Sequence, residues 1–217
     1  FEALAPFLAR FNIHLVGRIK APDRGGLLTL ETPSGTAHVA AFPFLRAAQS
    51  VDFMERADRW YGAYADRVRR ICEAYSEAVL AAVAERPGVG ALVAHFMVDG
   101  VTVAREAPRG ERDLHMGEAY AATGQAVPTS LDYVALGHIH APQRVPGVPV
   151  PAEYAGSLLQ LDFGEAGETK RVVLVDAEPG VPASVESIPL SAGRPLVRAT
   201  GTWEQISARD DLDDVWL

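Results

Sequence analysis

Two short apolar runs, at residues 89–96 and 131–136, constrain the fold of this 217-residue chain more than any other feature. Both have the length of strands. Before them, residues 54–85 carry apolar side chains at spacings of three to four, which is typical of a long amphipathic helix, and Pro87-Gly88 closes it. A helix followed by such runs indicates alternating helices and strands around a mostly buried sheet. We therefore predict an α/β (α+β) fold.

Shorter patterns predict the remaining elements. Residues 27–31 and 36–41 flank Pro33-Ser34-Gly35 and predict a β-hairpin. The apolar positions of segment 1–11 have helical spacing and lead into a strand-like run at 13–16. In the second half we predict strands at 153–155, 158–163 and 171–175, an extended segment at 196–200 and a short helix at 203–209.

Composition limits the location of the chain and its partners. No run approaches the roughly 18 apolar residues of a membrane span, and the first residues lack a secretory signal pattern, so we expect a cytoplasmic protein without a membrane partner. Cys72 is the only cysteine, which excludes an internal disulfide and predicts a packed core thiol.

A net charge of −8 argues against a general basic surface for nucleic acid. It leaves a nuclease possible, because metal ions and a partner subunit can supply positive charge.

Three of the six histidines follow the two apolar runs. His95 ends the first run, and Gly137-His138-Ile139-His140 follows the second. Side chains at the carboxyl ends of strands in open α/β sheets converge on one crevice, and residues i and i+2 of an extended chain point the same way. Imidazole suits divalent transition metals. A lone histidine at a strand end is more often a hydrogen-bonded structural residue, but the three together predict metal ligands at His95, His138 and His140.

Several motifs resemble the SbcD exonuclease family in order and spacing, over nearly the whole chain. Two of them are specific: Ala135-Leu136-Gly137-His138-Ile139-His140 and, behind it, Tyr154-Ala155-Gly156-Ser157. The others are Ala94-His95-Phe96, segments 41–46, 111–117, 132–134, 161–165 and 191–199, and Lys170.

The resemblance implies a calcineurin-like metallophosphoesterase, a β-sandwich flanked by helices. Residues 1–190 would form the C-terminal part of the nuclease domain, and residues 191–217 the start of a small capping or DNA-binding domain. It also implies two divalent ions, usually Mn²⁺, with His95 and His138 on one ion and His140 on the other.

The activity implied by the resemblance is Mn²⁺-dependent cleavage of DNA phosphodiester bonds, as a 3'-5' double-strand exonuclease and a single-strand endonuclease. It would serve DNA repair, recombination and replication. The implied partners are DNA and an SbcC-type ATPase, with a homodimer of the nuclease component inside a heterotetramer.

The sequence departs from the family in its N-terminal motifs, an Asp-x-His pair, a Gly-Asp pair and a Gly-Asn-His-Asp turn, which have no match here. Asp113-Leu114-His115 has the first form, but it follows a charged loop, not an apolar strand, so we assign it no metal role. The missing motifs supply carboxylate ligands and the proton donor of the family. We therefore expect no catalytic residue within these 217 residues, which by themselves should neither hold two manganese ions tightly nor cut DNA.

Two alternatives stay open. A phosphoesterase of the same fold could act on small phosphodiesters such as cyclic nucleotides, because a fold alone does not choose a substrate. The chain could also be a non-catalytic dimerisation or scaffold module, in which the histidines are structural and the long helix packs against a partner.

Overall fold

A computed structural model of the chain describes residues 2–45, 64–102 and 121–215. Within them, helices α1, α2 and α3 span Ala5–Ala9, Tyr64–Glu85 and Trp203–Ser207. The strands are β1 (Leu27–Thr32), β2 (Gly35–Phe42), β3 (Val89–His95), β4 (Met97–Val98), β5 (Ala121–Ala122), β6 (Tyr133–Gly137), β7 (Gln143–Arg144), β8 (Ala152–Tyr154), β9 (Arg171–Asp176) and β10 (Ser184–Pro189).

The centre of the fold is a six-stranded mixed sheet in the order β1-β2-β3-β6-β8-β7. Strands β2, β3, β6 and β8 are parallel to one another, and the edge strands β1 and β7 are antiparallel to their neighbours. Two further pairs, β4 with β5 and β9 with β10, complete the strands of the described residues. The α/β prediction is confirmed. The four parallel strands all end at the same edge of the sheet, where predicted ligands lie.

Helix α2 covers the sheet with the side chains that its spacing predicted. Val68, Ile71, Tyr75 and Val79 are almost fully buried, and the helix contacts β2 and β3. Cys72 is also buried in this core, as predicted. The predicted residues 54–63 of the helix lie outside the described part of the chain. In the parts that the structure describes, no helix is long and apolar enough to cross a membrane.

The hairpin prediction is confirmed, because β1 and β2 pair around Pro33 and Ser34 with Thr32 opposite Gly35. Two other strand predictions are wrong. Residues 13–16 form no strand, and residues 158–163 form a loop that enters a 3-10 turn at Phe163–Glu165. The Asp162 side chain accepts a hydrogen bond from the amide of Gly164, which stabilises the turn.

The predicted short helix at 203–209 is confirmed as α3, which ends at Ser207 and is followed by a 3-10 turn at Asp210–Leu212, whereas the predicted extended segment at 196–200 has a single bridge residue, Leu196, and no strand. Thr202 and Gln205 form a reciprocal capping box at the start of α3. The division of the chain into a nuclease domain and a capping domain at residue 190 stays a prediction.

Candidate metal centre

His95 and His138 come together at the carboxyl ends of β3 and β6. These strands are hydrogen-bonded neighbours, with His95 opposite Gly137 in the register. The centroids of the two imidazole rings are 5.3 Å apart and the ring planes are nearly perpendicular. The absence of a side chain at Gly137 permits this approach, because a Cβ there would lie 2.8 Å from Nδ1 of His95. The sequence prediction that these two histidines share one end of the sheet agrees with this geometry.

The backbone at His138 differs from the extended chain that the sequence suggested. Strand β6 ends at Gly137, and His138 has a φ of +101°. Non-glycine residues adopt this region rarely, and holding one there costs about 1–3 kcal/mol. Because of this turn, the rule that places i and i+2 side chains on one side of a strand does not apply to His138 and His140. Ile139 between them is buried and anchors the turn in the core.

The ring of Phe44 packs against the rings of His95 and His138. Phe44 follows β2, so a third parallel strand end contributes to the same edge. Its ring is nearly parallel to that of His138 at 5.7 Å and meets the edge of His95 at 6.0 Å. The ring limits the directions in which the two imidazoles can turn.

His140 lies in a second group of side chains, centred on the buried carboxylate of Glu165. Nδ1 of His140 is 2.9 Å from Oε1 of Glu165, whose side chain is 1% exposed. The other oxygen, Oε2, accepts hydrogen bonds from Nζ of Lys170 at 2.7 Å and from the amide of Leu161 at 3.0 Å. The hydroxyl of Ser157 also donates to it, at 3.3 Å. The sequence motifs contained Glu165 and Lys170, but sequence reasoning gave them no role.

Two effects compete for the charge of Glu165. Burial alone would raise the pKa of its carboxyl group, while hydrogen bonds from Lys170, the amide of Leu161 and His140 lower it. The net result is a pKa below the ordinary value for glutamate, so Glu165 is an anion at neutral pH. A carboxylate can only accept hydrogen bonds, so the ring of His140 is the donor in their contact.

The backbone of His140 is held as firmly as its ring. Its carbonyl oxygen accepts hydrogen bonds from Nζ of Lys170 and from the amide of Ser157, both at 3.1 Å. Gly156, with a φ of +87°, allows this approach, because a Cβ there would lie 2.6 Å from that carbonyl oxygen. The Gly156-Ser157 segment after β8 therefore fixes His140 in place.

Tyr154, the last residue of β8, braces the strand end that carries His95. Its buried hydroxyl donates to the carbonyl oxygen of Phe96 at 2.8 Å and accepts from the amide of Val98 at 3.0 Å. Burial raises the pKa of this phenol above its ordinary value, so it stays protonated and able to donate.

Of the remaining histidines, His14 and His38 lie in parts of the chain that the structure describes, and His115 does not. His38 is buried, and its ring contacts Oγ1 of Thr29 and the carbonyl of Arg86. His14 is exposed and contacts Asn12. Asp113 and His115 lie outside the described residues. Across residues 2–45, 64–102 and 121–215, no three His, Cys, Asp or Glu side chains form a group that could hold a metal.

The chain is similar in sequence to three bacterial proteins, each named as the SbcD component of the nuclease SbcCD. It is 41% identical to the protein of Bacillus subtilis over 112 residues, which cover 49% of this chain and 29% of that protein. It is 36% identical to the protein of Escherichia coli K12 over 98 residues, or 45% of this chain and 24% of that protein.

The similarity to the Rhodobacter capsulatus protein is weaker but longer, at 30% identity over 210 residues. It covers 93% of this chain and 50% of that protein, so the chain spans about half or less of the length of the relatives it matches. No family model matches the chain. The similarities nevertheless agree with the motifs at the strand ends, and the chain belongs to the SbcD family.

Proposed function

We propose that the chain is part of the nuclease component of an SbcCD-type complex, a calcineurin-like metallophosphoesterase that cleaves DNA phosphodiester bonds with two divalent ions, expected to be Mn²⁺. The observation that supports this most directly is the pairing of His95 and His138 at the ends of the adjacent parallel strands β3 and β6, with His140 two residues after His138. Sites in open α/β sheets form at such carboxyl ends. An SbcC-type ATPase, DNA and a second copy of the nuclease component are the proposed partners.

The donor chemistry of these histidines fits a metal. The paired rings of His95 and His138 present neutral nitrogen ligands side by side. His140 uses Nδ1 for its contact with Glu165, so Nε2 is the ring nitrogen that would bind a metal. Side-chain oxygens, which manganese prefers over nitrogen, have to come from other residues. His95 and His138 would hold one ion and His140 the other.

The ions that these histidines would hold would supply activation of water and stabilisation of the charge that develops on the phosphate. The protein residues orient the ligands. Phe44 packs against the rings of His95 and His138 and excludes water from one side of them. Because an imidazole that binds a metal is a neutral ligand, three histidines would leave the positive charge of the ions available for an anionic substrate.

The test is a comparison of the natural full-length protein with single histidine variants. We expect Mn²⁺-dependent cleavage of linear duplex DNA, and we expect His138→Ala to abolish it. His14→Ala should leave cleavage unchanged, because His14 is exposed and its ring contacts the nearby Asn12. The 217 residues assayed alone should show neither tight binding of two manganese ions nor cleavage.

Other outcomes would favour the alternatives. Hydrolysis of a cyclic nucleotide in preference to duplex DNA would identify a small-molecule phosphodiesterase. A full-length protein that binds no manganese and whose properties do not change on His138→Ala would support the scaffold module.

A further inference from the structure

The hydrogen bonds around Glu165 restrict what can occupy its position. Nζ of Lys170 has three acceptors, Oε2 of Glu165 at 2.7 Å, Oε2 of Glu168 at 2.8 Å and the carbonyl oxygen of His140 at 3.1 Å. An ammonium group has three hydrogens and no lone pair, so all of its donors are used. The lysine side chain is 5% exposed, and this arrangement therefore has little freedom to change.

Oε2 of Glu165 accepts from the hydroxyl of Ser157 and lies between two further groups that can only donate. The ammonium of Lys170 and the amide of Leu161 both point at it and neither can accept. Any side chain at position 165 has to place an acceptor there. The second oxygen, Oε1, faces Nδ1 of His140, and an imidazole nitrogen can donate or accept according to its tautomer.

We propose that Glu165 is a positioning residue that holds the proton of neutral His140 on Nδ1 and leaves the lone pair on Nε2. His140 is held at two points. Glu165 binds Nδ1 of its ring, and Lys170 and Ser157 bind its backbone carbonyl oxygen. With Glu165 held as a carboxylate by Lys170 and the amide of Leu161, Oε1 can only accept, so the neutral ring has to donate from Nδ1. The consequence of this tautomer for metal binding at Nε2 rests on the proposed function, because a carboxylate bonded to the far nitrogen orients a histidine ligand and increases its basicity.

The substitution Glu165→Gln separates this role from simple packing, since glutamine has nearly the same shape. Its amide oxygen has to face Lys170 and Leu161, which only donate, and this turns the NH₂ group toward His140. Nδ1 must then accept, and the proton moves to Nε2. The variant should therefore have the opposite tautomer, with no lone pair on the nitrogen proposed to bind metal.

The experiment is ¹⁵N–¹H correlation spectroscopy of the chain labelled with ¹⁵N-histidine, at about pH 8.5, where an ordinary histidine is neutral. His140 is assigned by comparison with His140→Ala. In the wild type we expect a protonated Nδ1 and an unprotonated Nε2, and in Glu165→Gln the reverse. Glu168→Gln is the matched control, because Glu168 also binds Lys170 but the structure shows no contact between its side chain and His140. It should keep the wild-type pattern.

The wild-type spectrum by itself can overturn the inference, even if Glu165→Gln fails to fold, by showing the proton on Nε2. An unchanged pattern in a folded Glu165→Gln would also overturn it. A manganese titration of the natural full-length protein adds the metal readout, with affinity expected to fall roughly 10–100-fold in Glu165→Gln. If the tautomers behave as expected but manganese does not broaden the His140 resonances of the wild type, the positioning role stands and the proposed function is wrong.

Discussion

Replacing Tyr154 with phenylalanine removes one buried oxygen atom and two hydrogen bonds. The side chain is fully buried, and phenylalanine fills the same space apart from the hydroxyl. The carbonyl of Phe96 and the amide of Val98 each lose a partner at 2.8 Å and 3.0 Å, in a region that water does not reach. Leaving one such group unsatisfied costs about 1–3 kcal/mol, so we expect Tyr154→Phe to lower the free energy of unfolding by about 2–4 kcal/mol.

Tyr75→Phe is the matched control. Tyr75 is equally buried, and its hydroxyl donates to the carbonyl of Lys20 at 2.7 Å in a partly buried setting. Water can replace that donor, so we expect a loss of about 0.5–1.5 kcal/mol. Burial raises the pKa of Tyr75 to about 12, which keeps its phenol protonated in the assay at neutral pH.

The measurement is urea unfolding followed by circular dichroism, with the free energies of the two variants compared at an unchanged m-value. A loss of less than about 1 kcal/mol in Tyr154→Phe, or a loss smaller than that of Tyr75→Phe, would refute the assignment of two hydrogen bonds to this hydroxyl. Since the hydroxyl binds the segment directly after His95, the imidazole resonances of His95 should shift in Tyr154→Phe and not in Tyr75→Phe.

Two further substitutions test the strand end and the core. Gly137→Ala should displace the ring of His95 and shift its resonances, because the new Cβ would lie 2.8 Å from Nδ1. Gly124→Ala is the control and should leave these resonances unchanged, because its Cβ would point into open space. Because His95 is exposed and its ring can turn outward, unfolding by urea should change by less than about 1 kcal/mol. Burial raises the pKa of the Cys72 thiol far above its ordinary value. The unfolded chain then ionises first, so stability is full below about pH 8.5 and decreases above it, by about 2 kcal/mol at pH 10. Cys72→Ala should lack this decrease in urea unfolding measured across that range, and an equal decrease in both proteins would contradict the burial of the thiol.

The elements that local patterns determine were predictable from the sequence. Strands β3 and β6 are uninterrupted apolar runs, and α2 shows its buried face in the spacing of Val68, Tyr75 and Val79. The same reasoning placed His95 and His138 at one edge of the sheet, because parallel neighbours end together. The ring distance of 5.3 Å depends in addition on Gly137, whose role is visible only when the opposing side chain is known.

Contacts between distant segments were not predictable in this way. His140 and Glu165 are 25 residues apart, and nothing in the spacing of either reveals the other. Residues 158–163 contain apolar side chains typical of a strand, but Leu158 and Leu161 are 63% and 61% exposed, and the chain turns because Glu165 and Asp162 bind its amides. The φ of +101° at His138 is another such case, since non-glycine residues adopt positive φ rarely and the local sequence does not show which residue will do so.

Two carboxylates beside the candidate centre, those of Glu165 and Glu153, already form hydrogen bonds and ion pairs with other residues. Both oxygens of Glu165 are occupied, by His140 on one side and by Lys170 and Leu161 on the other. Glu153 of strand β8 pairs with Arg171 at 2.7 Å. Releasing Glu165 to bind a metal would remove one of the two carboxylates that Lys170 contacts, and releasing Glu153 would remove the carboxylate partner of Arg171, both of which are unfavourable. The anionic ligands of the proposed two-ion centre therefore have to come from residues other than Glu165 and Glu153.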